Sequence, residues 1–102
     1  MTYRNRKLLD IAHGMPCMAK FPHKCTQHLG CEPAHSDMQI FGRGHGHKAP
    51  DWAFAAMCHN AHQEIDPKLA PAFDRDQRHT EWMRAYVATM NWLFENELLE
   101  VA

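Results

Sequence analysis

The chain has 102 residues, 45% of them apolar and 23% charged, with a net charge of −1. That length suits one small domain and is too short for two independent cores, and the composition is that of an ordinary soluble globular chain. The longest apolar run, residues 52–58, falls far short of the ~20 residues a bilayer span needs, and the charged N-terminus has no apolar stretch behind it, so neither a span nor a secretory signal is expected. The expected compartment is therefore the cytoplasm, with no membrane partner.

Nine His and four Cys are many for so short a chain. In a reducing compartment they point to metal, structural zinc in particular, rather than to disulfides. Charge is unevenly placed: residues 1–24 hold Arg4, Arg6, Lys7, Lys20 and Lys24 against Asp10 alone, whereas from Asp74 onward three Arg face six acids. A basic first segment beside a metal site suits phosphates, although a solvated mixed-charge surface explains the same distribution.

In chain order, residues 1–33 read as a loop-rich segment that needs a staple, holding three Cys with Gly14, Pro16, Pro22 and Gly30. His35 to Phe41 is a short strand candidate, and the glycines at 42, 44 and 46 that follow exclude helix there. A second strand is expected around Phe54 to Met57, then a helix from about Asn60 that stops before Pro67. One helix over residues 51–65 is the alternative, which Ala-rich propensity leaves open. In the last zone, residues 74–98, Asp74 with Gln77 predicts a capping-box start to a helix from about Arg75 to Asn96. Trp82, Tyr86, Met90 and Leu93, with Met83, Val87 and Phe94, are its expected core face.

Two pairs of ligands, Cys17-x7-Cys25 and Cys58-x3-His62, bracket the strand–loop–strand region, as a tetrahedral zinc that ties loops to a helix start requires. A ferredoxin-type iron–sulfur cluster needs tighter Cys grouping. His35 on a strand and His62 on the next helix can aim into one cleft, one imidazole as general base and the other as ligand of a hard divalent ion, which is phosphodiester-hydrolysis equipment. Lys48, fixed by Pro50, can hold a phosphate as a point charge; Arg6 and Lys7 are similar candidates. His13, His23, His28 and His79 are scattered, which argues against a designed metal-sequestering surface.

Arg6-Lys7, Cys17-x-x-Lys20-x-Pro22-x-x-Cys25, Ala34-His35, Gly44-x-Gly46-x-Lys48-x-Pro50-Asp51-Trp52-Ala53 and Cys58-x-x-x-His62-x-Glu64-Ile65-Asp66 together resemble the YbcO-like nucleases of phages and prophages, small HNH-type (His-Me finger) proteins. The likeness runs over nearly the whole chain, into the closing helix. It implies an α+β fold, a small zinc-stapled ββα-metal module of residues 34–66 between the Cys-containing segment 1–33 and the long C-terminal helix, acting as one nuclease domain. It further implies metal-dependent DNA cleavage with His35 as general base, His62 binding the catalytic Mg²⁺ or Mn²⁺, and Asp51 orienting the base loop or the metal. DNA is then the partner, with phage recombination proteins as the family's usual company. Two positions depart from the pattern. Ala61 stands where the family has a zinc thiolate, leaving Cys31 or His59 to supply the fourth bond beside Cys17, Cys25 and Cys58. Ala34 stands where better-known HNH enzymes often bind metal. Both departures favour the alternative, a zinc-stapled module that binds DNA or protein and cuts nothing; the oligomeric state is left open.

Overall fold

The computed structural model describes residues 3–38, 49–66 and 73–99. Lys48, His45, His47 and the far end of the expected 35–41 strand lie outside the described residues. The fold is α+β: α1 (Arg6–Ile11), β1 (Cys31–His35), β2 (Phe54–Cys58), α2 (His59–Ile65) and the long α3 (Arg75–Glu95), with short 3-10 turns at Ala12–Gly14 and Gln27–Leu29.

α1 starts where the Asn5 side chain accepts the Leu8 N–H at 3.2 Å, an N-cap that relieves one of the orphan donors of a first turn. With six residues it is too short to show a periodicity, which is why the first segment reads as loop throughout.

β1 and β2 form a two-stranded antiparallel sheet in the register Cys31↔Cys58, Glu32↔Met57, Pro33↔Ala56, Ala34↔Ala55, His35↔Phe54. β1 therefore ends at His35, where the sequence predicted a strand to begin. It starts directly after Gly30, whose φ of 96° makes the sharp entry that L side chains resist. Pro33 is tolerated because its partner Ala56 turns both backbone groups away from β1: the Ala56 N–H donates to Thr89 Oγ1 at 3.0 Å, and its carbonyl accepts from Met18 N–H at 2.8 Å. β2 and α2 lie where expected, within a residue or two, and the single-helix alternative is excluded. Every residue of β2 is buried, so pairing and packing outweigh the helix propensity of its alanines.

α3 opens on the predicted capping box, Asp74 accepting from Gln77 N–H at 2.9 Å while the Gln77 side chain accepts from Asp74 N–H at 3.0 Å. Its buried stripe is Trp82, Ala85, Thr89 and Leu93. The small Ala85 and Thr89 let the helix close on β2, and the Trp82 indole N–H donates to the Ala34 carbonyl at 2.8 Å. Tyr86 stacks on Trp82, their ring centroids 4.8 Å apart, and is only half-buried. Met83, Val87 and Phe94, expected in the core, are 37%, 51% and 49% exposed, because only one face of the helix meets the sheet. No helix among the described residues is long and apolar enough to cross a membrane.

Thr89 is fully buried and satisfied on both sides, since its hydroxyl also donates to the Ala85 carbonyl at 2.7 Å. Thr89→Val, nearly the same shape, leaves the buried Ala56 N–H without its acceptor. The expected loss is about 1–3 kcal/mol of stability, read as a lower denaturation midpoint, with Thr89→Ser recovering most of it.

Candidate metal centre

Four side chains converge where the N-terminal loops meet the end of β2. Ligand atoms of Cys17, His23, Cys25 and Cys58 all lie within 4.8 Å of one another. Several contacts bring them there. Met18 is hydrogen-bonded to the outer edge of β2, the Cys17 N–H donates to Gln27 Oε1 at 2.8 Å, and the Asn60 amide donates to the Lys24 carbonyl at 2.8 Å, tying the 22–25 loop to α2. The Cys58 N–H then donates to Cys17 Sγ at 3.3 Å.

The donor set fits a zinc ion. His23 Nδ1 lies 2.8 Å from the Phe21 carbonyl, which can only accept, so Nδ1 carries the proton and the Nε2 lone pair is free on the side facing Cys17 Sγ at 3.6 Å. Tetrahedral Zn–S and Zn–N bonds would place two such atoms about 3.6 Å apart. Burial raises the Cys58 thiol, but N–H groups of Thr26 and Ala61 at its sulfur outweigh that and hold it well below the ordinary thiol range. The neighbouring Cys17 thiol is pushed up, first by burial and then by the adjacent Cys58. One sulfur is thus ready as a thiolate, and the others lose their protons as a cation binds.

Of the five residues expected as metal ligands, Cys17, Cys25 and Cys58 are brought together, and the fourth position is His23, not Cys31 or His59. Cys31 sits across the ladder from Cys58, almost fully buried; burial and the surrounding thiols push it up to about 12, the behaviour of a protonated core side chain. His59 turns away to Glu32. Ala61, where a thiolate was expected, is fully buried and contributes only its N–H, donated to Cys58 Sγ at 3.4 Å as that side chain caps α2.

Imidazole–carboxylate pairs lie outside the cluster as well. His62 Nδ1 is 2.9 Å from Glu32 Oε1, and His59 Nδ1 is 3.0 Å from Glu32 Oε2. Partial burial raises the Glu32 carboxyl, yet hydrogen bonds from His62 and His59 outweigh it and hold it below the ordinary carboxylate range. At the other end of β1, His35 Nε2 is 4.0 Å from Asp51 Oδ1. Asp51 is 6% exposed, accepts from Asn5 N–H and from Arg4 Nη1 at 3.0 Å, and donates its own N–H to the Tyr3 carbonyl. Burial raises its carboxyl; the Asn5 N–H, Arg4 and His35 more than offset that and keep it ionised. Asp51 thereby fastens residues 3–5 beside His35, with the exposed Arg6 and Lys7 one and two residues further along. His35 and His62 each have a carboxylate beside them, Asp51 for the first and Glu32, shared with His59, for the second.

No family model, curated protein or solved structure matches the chain.

Proposed function

We propose that the chain is a zinc-stapled, metal-dependent DNA endonuclease of the HNH type, with Cys17, His23, Cys25 and Cys58 as the staple. The observation that carries this reading is the placement of His35: it ends β1 beside an ionised, buried Asp51, whose other bonds hold the basic start of the chain alongside. An imidazole backed by a carboxylate is a general base, and Arg6 and Lys7 are cations for the flanking phosphates. The order of elements agrees with a ββα-metal module: β1 ending in His35, a long connection, then β2 running directly into α2 with His62.

In this reading His35 takes a proton from water as its oxygen attacks phosphorus, and Asp51 stabilises the imidazolium that results. The P–O3′ bond breaks and the leaving oxygen takes a proton from solvent water, giving a 5′-phosphate and a 3′-hydroxyl. His62, a third exposed and backed by Glu32, suits a hydrated divalent ion such as Mg²⁺ or Mn²⁺. When bound, that ion would neutralise charge on the scissile phosphate.

The test is incubation of the zinc-loaded protein with supercoiled plasmid and with branched DNA in Mg²⁺, in Mn²⁺ or with neither ion added. Ion-dependent nicking or cutting is expected, and folded protein that leaves both substrates intact sinks the reading. Ala34 and Ala61, each standing where a metal ligand is often found, favour a second reading, a zinc-stapled DNA-binding module without turnover. Its signature is a salt-dependent gel shift with no change in DNA length.

A further inference from the structure

Glu32 is the one acidic side chain among the described residues that is hydrogen-bonded to two imidazoles, 3.0 Å from His59 and 2.9 Å from His62. An ionised carboxylate only accepts hydrogen bonds, so the atom of each ring that meets it must be the one bearing hydrogen. In the neutral rings that atom is Nδ1, and the lone pair is left on Nε2 at the far end of the ring. His62 is held on the second turn of α2 by this bond across to β1, so both its tautomer and its orientation are set by a residue of another element. A carboxylate behind an imidazole is the usual support of a metal-binding histidine, raising its basicity as well as aiming it.

We infer that Glu32 is a positioning residue: it holds the Nδ1–H of His62 and so presents Nε2 outward as the donor atom for a divalent ion, with His59 sharing the same carboxylate. This rests on the assignment of His62 to an ion, made above. Glu32→Gln keeps the size of the side chain but offers one oxygen and one N–H₂ group in place of two acceptor oxygens. It satisfies one ring as before and presents a donor to the other, whose proton must move to Nε2 and take the outward lone pair with it.

The experiment uses zinc-loaded protein at about pH 8, above the ordinary imidazole range. Long-range ¹H–¹⁵N spectra should show His62 protonated at Nδ1 and bare at Nε2 in the wild type. Mn²⁺ titration followed by electron paramagnetic resonance should give one bound Mn²⁺ that is lost in His62→Ala. Glu32→Gln should weaken it about 10- to 100-fold, with Glu32→Asp recovering part of the loss. Zinc content and melting temperature should not move, which separates positioning from a structural role. A wild-type His62 protonated at Nε2 overturns the inference. So does a Glu32→Gln protein that binds Mn²⁺ as the wild type does, and if that protein also cuts DNA normally the nuclease reading stands while this one falls. A wild type that binds no Mn²⁺ overturns both this inference and the role of His62 in cleavage.

Discussion

Cys58→Ser is expected to abolish zinc binding and leave the domain largely unfolded at 37 °C. Cys58 does three things at once: its sulfur belongs to the four-atom cluster, the same sulfur caps α2, and its residue closes β2 opposite Cys31. It is also fully buried, and the N–H groups at its sulfur hold its thiol below the ordinary range. Structural zinc contributes apparent folding free energies of about 10–16 kcal/mol in small domains, against a total stability of about 5–15 kcal/mol for ordinary ones, so losing the ion removes most of what holds this chain together. Zinc content measured by mass spectrometry should fall from one per chain to near zero, with loss of the cooperative melting transition. EDTA should have the same effect on the wild type. Cys31→Ala provides the contrast: a core cavity lowers the melting temperature, but zinc content stays at one. Full zinc in Cys58→Ser, or zinc lost in Cys31→Ala and kept in His23→Ala, would overturn the ligand set.

The second large effect is on cleavage. His35→Ala should lower the rate by about 10²- to 10⁴-fold, the usual contribution of a positioned general base, with zinc content and DNA binding unchanged. The His35 side chain is 30% exposed at the end of β1, so its removal opens no core cavity. Its nearest carboxylate, Asp51, keeps its bonds to Asn5 and Arg4, so the N-terminal segment stays in place. A loss confined to turnover distinguishes the base from a residue that merely holds the fold. Cleavage by His35→Ala at the wild-type rate would remove the assignment.

The elements most legible in the sequence are those marked by local signals. Asp74 and Gln77 announce α3 through a bond pattern that lies within four residues, and Pro67 ends the helix that carries His62 because the residue before a proline avoids helical geometry. The three cysteines of the cluster stand out for their chemistry alone. His23 did not, although the gap at Ala61 called for a replacement and His23 lies two residues before Cys25. It stood among the other scattered histidines because nothing in a Cys-x5-His-x-Cys spacing on an irregular loop says which side chains will meet.

Composition, caps and breakers thus determined by themselves that this is a small chain with thiols and imidazoles enough for a metal and a long closing helix, while strand-then-helix over residues 54–65 stayed one of two readings. Tertiary structure alone decided that β1 ends on His35, that Met83, Val87 and Phe94 face outward, that His23 completes the cluster and that His59 and His62 share Glu32. Each of these depends on contacts between residues far apart in the chain: Met18 and Thr89 on the edge of β2, Asn60 on the loop of His23, Glu32 across to α2. Such contacts form only once burial has brought the segments together, and no local propensity encodes which partner each buried polar group will find.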